Sequence, residues 1–356
     1  MKIALVTDTH FGARGDNLAF ASYFKRFYDE VFFPYLKEHN IRTLVHLGDI
    51  VDRRKFINFQ TAKILRETLI EPIIEAGIDA HLIIGNHDTY YKNTNEVNSM
   101  AELYEHGVYP NLHFYSRPEV VNFDGEPIIM MPWICQDTKD ESFEMINSGQ
   151  SQVLFGHLEL HGFEMYKNNP VHIGMDPKLF SSLDVVCSGH FHTRSTRGNV
   201  TYLGCPYEMT WSDYDDPKGF HIYDTETRTL EFIQNPYRMF HKIKYDDTVL
   251  SNEDIMNMEL GDQYTNSIVK VIVQNKTNPF FFDLFIDKFE KSGVIDLQVV
   301  EDHLNLDLQD DEDIVDEAED TLTILTKYID QLEDVDKVSL EQLIRELYGE
   351  AIVAQG

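Results

Sequence analysis

Five short motifs follow one another along the chain: Asp8-Thr9-His10, Gly48-Asp49, Gly85-Asn86-His87-Asp88, Gly156-His157 and Gly189-His190-Phe191-His192. Each comes just after a short apolar run that reads as a strand. They offer seven oxygen and nitrogen donors, Asp8, His10, Asp49, Asn86, His157, His190 and His192, enough for two divalent cations sharing one carboxylate. Asp8 and His10, one residue apart, can turn toward the same point where their strand ends. Gly48 lets the backbone of Asp49 approach closely, and Asp49 is the candidate bridge. The expected division is Asp8, His10, Asp49 and His192 on one cation, and Asp49, Asn86, His157 and His190 on the other. With no thiolate in the set, Mn²⁺, Fe or Zn²⁺ is favoured over soft metals, and Mn²⁺ is the first choice.

Two such cations generate a hydroxide near neutral pH and screen the charge on a phosphoryl group under in-line attack, so no protein nucleophile is required. His87 adjoins Asn86 but is not needed for coordination, which makes it the candidate general acid toward the leaving oxygen. Asp52, three residues after Asp49, is the candidate carboxylate to orient and charge that imidazole. A supporting role for His87 and a turn role for Asp52 are the alternatives. Asp88 is expected to be a hydrogen-bonding support. Arg53, Arg54 and Lys55, with Tyr90, Tyr91 and Lys92, flank the central motifs and could supply phosphate attraction and base stacking, or simply form solvated loops.

The elements that position these residues alternate. Apolar runs at Lys2 to Val6, Thr43 to Leu47, His81 to Ile84, Ile128 to Met131, Val153 to Phe155 and Val185 to Cys187 read as strands. Ala19 to Lys37 and Gln60 to Ala76 carry apolar residues at spacings of three and four and read as helices. The order predicts an α/β fold, a sandwich with mixed sheets, whose ligand site lies beyond the carboxyl ends of strands. Residues 1–237 form this unit. A small α+β unit follows over 238–302, with strands at Ile268 to Val273 and Asp296 to Val300 and a helix at Pro279 to Lys291. An acidic linker covers 303–320 and a pair of short amphipathic helices 321–356, too small to bury both apolar faces on each other, which predicts a partner.

The net charge of −31 is unusual for a chain that handles nucleic acid unaided. From Glu301 onward there are 18 acids against 3 bases, so about half of the excess lies in the tail. A long polyanion would then be held by bound metal and by a partner with its own basic surface. Cys135, Cys187 and Cys205 are odd in number and far apart, which predicts a reduced, cytoplasmic compartment. The N-terminal MKIALVTD reads as a strand rather than a signal peptide, and no apolar run approaches membrane-spanning length.

The motif series resembles the calcineurin-type metallophosphoesterase superfamily. The phrases GDIVDRRK, GNHDTYYKN, MPW at Met131 to Trp133, GHLELHGF and SGHFHT are most similar to its SbcD-type exonuclease subunits, in particular the small subunits of recombination endonucleases of T-even-like phages. The resemblance covers essentially the whole chain. It implies a four-layer nuclease domain, a capping and DNA-binding domain, and C-terminal helices that bind the coiled coil of an SbcC-type ATPase. It further implies a homodimeric, Mn²⁺-dependent enzyme of DNA recombination, repair and replication, degrading double strands from the 3′ side and cutting single strands. Some relatives carry a histidine where this chain has Asp52, so that histidine's role does not transfer. The competing readings are a metal-dependent phosphomonoesterase or protein phosphatase on the same core, and a scaffold subunit without catalysis.

Overall fold

The motifs are held by strands whose two faces are both buried, which explains why they read as near-continuous apolar runs. The computed structural model describes residues 1–301 apart from 105–107, 168 and 172. The acidic linker and the C-terminal helical pair expected at 303–356 lie outside the described residues. In chain order the strands are β1 (Lys2–Val6), β2 (Thr43–His46), β3 (Asp79–Ile83), β4 (Leu112–Tyr115), β5 (Glu119–Phe123), β6 (Glu126–Met131), β7 (Val153–His157), β8 (Glu164–Tyr166) and β9 (Asn169–Pro170). They continue as β10 (Val185–Gly189), β11 (Ser195–Arg197), β12 (Val200–Tyr202), β13 (Gly219–Asp224), β14 (Thr229–Gln234), β15 (Phe240–Asp246), β16 (Ile268–Asn275) and β17 (Asp296–Val300).

One sheet has the order β14-β13-β1-β2-β3-β4 and the other β11-β12-β10-β7-β6-β5. Both are mixed: β1 to β4 run parallel and are closed on one side by the antiparallel β13–β14 hairpin. Alternation along each strand sorts residues into layers. Ile3 and Leu5 of β1 meet Val153 and Phe155 of β7 in the core between the sheets. Ala4 and Val6 face the other way, against Phe24, Phe27, Leu65 and Ile73 of the covering helices. On the far side, Leu154 and Val186 pack with Ile146 of helix Lys139–Asn147 and with Phe180. The result is helix, sheet, sheet, helix, the four layers that the resemblance implied.

The covering helices are longer than expected by a residue at some ends and are not uniform. Residues 18–38 and 59–76 are each helical but pass through a π turn, Tyr28–Phe32 and Arg66–Ile70. Pro34 and Pro72 follow, each after one intervening residue. Proline has no N–H to donate and its ring crowds the carbonyl four residues back, and a wider turn relieves both. Beyond Asn235, β15, β16 and β17 form a third, parallel sheet with its own core, Tyr245, Val269, Val271, Phe285 and Phe289, under helix Pro279–Lys291. The change at residue 238 falls between β14 and β15. Among the described residues no helix is long and apolar enough to cross a membrane.

Phe155 is fully buried between the sheets with its ring 5.1 Å from that of Tyr223. Phe155→Ala should cost about 3–5 kcal/mol, seen as a lower urea midpoint; an unchanged midpoint would contradict this packing.

Candidate metal centre

The turns that leave β1, β2 and β10 adopt a backbone that side-chain-bearing residues avoid. Asp8 (φ 52°), His10 (φ 42°), Asp49 (φ 55°) and His190 (φ 88°) are all left-handed, at a cost of roughly 1–3 kcal/mol each. Hydrogen bonds hold them there. Asp8 N donates to Gly48 O at 3.0 Å, Thr9 N and His10 N to Asp49 O at 2.9 and 3.1 Å, and Phe11 N to Ile50 O at 2.8 Å. Buried Asp88 ties the third turn to the second: Oδ2 accepts from Gly85 N and Asp49 N, both at 2.9 Å, and Oδ1 from Ile50 N at 2.9 Å and Val51 N at 3.1 Å. A side chain at Gly85 would run into the carboxylate and backbone of Asp49, which is why that motif begins with glycine.

All seven expected donors converge. Asp8, His10 and His192 offer atoms within 4.8 Å of one another, as do Asp49, His157 and His190. Asp49 Oδ2 lies 3.2 Å from His157 Nε2 and 3.9 Å from His10 Nε2, so its carboxylate joins the two groups. Asn86 Oδ1 is 2.9 Å from His157 Nε2. His190 N donates to both oxygens of Asp8, at 3.1 and 3.0 Å.

Several contacts are wrong for a neutral protein and right for a cation. His157 Nδ1 donates to Leu47 O at 2.8 Å, so in the neutral ring Nε2 is a bare lone pair facing oxygens of Asp49 and Asn86. His10 Nε2 and His192 Nε2 face each other at 3.2 Å. His190 Nε2 and His192 Nδ1 are buried without a hydrogen bond. Burial lowers the pKa of His157, but Asp49 reverses this to about 9. Burial likewise lowers His10, and Asp52, then Asp49, bring it to about 10. Burial pushes Asp49 up, yet His157 and His87 hold it well below the usual range. These carboxylates demand positive charge, from protons or from cations whose binding displaces protons. The donor set therefore fits two divalent ions.

Asp52 is arranged differently from the expectation. Its carboxylate does not orient His87: Oδ1 lies 3.4 Å from His10 Nδ1, while the backbone carbonyl of Asp52 accepts from His87 Nδ1 at 2.6 Å. Backbone carbonyls carry no sequence signal, which is why the spacing could not reveal this. His87 N donates to Asp49 Oδ1 at 2.8 Å. Of the flanking residues, Arg53 is paired with Asp16 at 3.0 Å and stands 5.1 Å over Phe56, and Lys55 lies 6.0 Å over Tyr90. Tyr90 and Tyr91 are exposed and meet edge to face at 4.8 Å; Lys55 and Lys92 are exposed, and Arg54 is half-buried.

Three supports escaped the sequence reading. Thr7 Oγ1 donates to Asp8 Oδ2 at 2.7 Å. Trp133 packs 5.1 Å from His190 and 6.1 Å from His157. Buried Lys218 donates to His192 O at 2.8 Å and pairs with Asp213 at 2.7 Å and Asp216 at 2.8 Å. Burial would neutralise Lys218, and Asp213 outweighs burial to keep it charged. A lysine among three acids in the 211–218 stretch was the visible signal.

Asp88→Asn replaces an acceptor oxygen with a donor among four backbone N–H groups. It should cost about 2–4 kcal/mol and weaken Mn²⁺ binding, read from thermal melts with and without metal; wild-type melting in both would contradict the role given to Asp88.

The calcineurin-like phosphoesterase family matches residues 1–194. Exonuclease subunit 1 of Enterobacteria phage T4 is 36% identical over 331 residues, covering 89% of this chain and 90% of that protein. Among solved structures, one reported as a novel archaeal phosphodiesterase is 16% identical over 66% of this chain and 100% of its own, with a TM-score of 0.33. A protein of unknown function from Aquifex aeolicus is 17% identical over 56% of this chain and 82% of its own, with a TM-score of 0.24. With a matching phosphoesterase domain over more than half its length and a relative 36% identical over 89% of it, the chain belongs to the calcineurin-like phosphoesterase family and is a phosphodiester hydrolase.

Proposed function

We propose that the chain is a dinuclear-metal DNA nuclease, a double-strand 3′–5′ exonuclease and single-strand endonuclease of recombination, repair and replication that works with an SbcC-type ATPase. The observation that carries the reading is the seven-donor cluster joined through Asp49, in a chain 36% identical to a phage protein named as an exonuclease subunit. Asp8, His10, Asp49 and His192 are proposed to hold one cation, and Asp49, Asn86, His157 and His190 the other, with Mn²⁺ preferred. When bound, the pair supplies Lewis-acid charge against the phosphoryl oxygens and acidifies the attacking water.

The chain's own residues do the rest. Asp88 and the left-handed turns fix Asp49 before substrate arrives. Because a carbonyl only accepts, the bond to Asp52 O places a proton on His87 Nδ1 and leaves Nε2 as the ring nitrogen open to the leaving oxygen; it passes a proton there from the doubly protonated ring, which burial disfavours and the Asp49 carboxylate favours. Asp52 serves through His10 with its carboxylate and through His87 with its carbonyl. Tyr90 and Tyr91 suit base stacking, and Lys55 and Lys92 phosphate attraction; Arg53, already paired with Asp16, is the weakest of the proposed DNA contacts. Residues 238–302 are proposed as the cap: Lys270, on β16, sits 4.3 Å over Trp211, at the start of the stretch whose Lys218 holds His192. The C-terminal helices are proposed to bind the ATPase, and two copies to form the dimer. The strongly acidic chain supports a partner that brings positive charge.

The test is loss of label from end-labelled double-stranded DNA incubated with the purified chain in Mn²⁺, in Mg²⁺ and in chelator. Mn²⁺-dependent degradation abolished by chelator is expected; turnover of an aryl phosphomonoester with DNA left intact would replace the reading with a phosphatase. His87→Ala should keep metal binding and lose about 10²–10⁴-fold in rate. Retained activity would remove the general-acid assignment. Asp52→Asn should raise the Mn²⁺ requirement about 10–100-fold and lose less rate at saturating metal than His87→Ala; the opposite ranking would return the orienting role to the carboxylate.

A further inference from the structure

At the opposite end of β3 from the Gly85 turn, two imidazoles and a carboxylate converge on one point of the sheet. His81 on β3 is registered against His113 on β4, and their rings stack at 4.7 Å with an interplanar angle of 22°. Asp79 reaches both: Oδ2 lies 3.3 Å from His81 Nε2 and Oδ1 lies 2.8 Å from His113 Nε2. The three donor atoms fall within 4.8 Å of one another. We propose that Asp79, His81 and His113 form a separate binding site for a single Zn²⁺-class cation, which clips β3 to β4.

The donor chemistry selects the ion. Two imidazoles and one carboxylate without thiolate suit Zn²⁺, with a water completing four-coordination. Donors at about 2.0 Å from a tetrahedral ion stand about 3.3 Å apart. The Asp79–His81 pair already has that separation, and the Asp79–His113 pair needs to open by about half an ångström. Both residues of the closer pair are free to adjust, since the side chains of Asp79 and His113 are 54% and 41% exposed.

His81 is pre-oriented as metal-ligating histidines are, through its second nitrogen. Its Nδ1 is 2.7 Å from the hydroxyl of Tyr115 and its ring rests edge-on against Phe123 at 4.8 Å, so Nε2 is aimed at Asp79. From Asp79 to Gly85 the chain advances about 20 Å, so a cation here is distinct from the catalytic pair. It would tie β3 to β4 without taking part in turnover.

The experiment measures Zn²⁺ retained per chain after dialysis, and Zn²⁺ affinity by calorimetry, for wild type, His113→Ala and Asp79→Asn. Each variant should hold one cation fewer than wild type, with that site's affinity reduced about 100-fold. Far-UV circular dichroism and Mn²⁺-dependent hydrolysis should be unchanged. Because only the difference of one cation is read, the result stands whether or not the Asp49 cluster proves to be a nuclease centre. Equal Zn²⁺ content and affinity in the three proteins would overturn the proposal and leave Asp79 as a hydrogen-bonding partner of two histidines.

Discussion

Asp8, Asp49 and Asp52 crowd around His10 and His157 in the interior, and burying that much negative charge is tolerable only with positive charge among it. The raised values of His10 and His157 and the lowered value of Asp49 are three views of this demand. A proton answers it locally. Two divalent cations answer it for both groups at once, because the Asp49 carboxylate reaches both.

Much of the surrounding structure serves to hold Asp49 in place. Gly85 removes the side chain that would displace it, Asp88 collects the N–H groups of its turn, and parallel β1 and β2 deliver the Asp8 and Asp49 turns side by side. The two sheets share this task, since β7 and β10 bring His157 and His190 from the opposite layer. Lys218 extends the support outward to His192, and the contact of Lys270 with Trp211 carries it to the third sheet. Strain at four left-handed residues is thus spread over many hydrogen bonds, which hold the seven donors in place.

The strands before the motifs were legible because each is an apolar run ended by glycine or a polar ligand type, and the seven donors expected together are together. The four-layer arrangement follows from those same runs, which need cover on both faces. What stayed hidden depends on atoms that do not vary with residue type or on partners distant in sequence. His87 is oriented by a carbonyl rather than by the Asp52 carboxylate, and Lys218 reaches a histidine 26 residues earlier. The π turns were hidden in amphipathic patterns that run unbroken through them, although Pro34 and Pro72 marked their places. The β13–β14 hairpin, with a solvent-facing outer strand, lacked the apolar density of the central runs.

The most direct test of the shared carboxylate is electron paramagnetic resonance of the purified chain titrated with Mn²⁺, beside Asp49→Ala. Two Mn²⁺ ions close enough to share a ligand give an exchange-coupled spectrum at two equivalents, which Asp49→Ala should abolish. A spectrum of isolated, uncoupled Mn²⁺ at two equivalents, or coupling that survives in Asp49→Ala, would contradict a dinuclear centre built on Asp49.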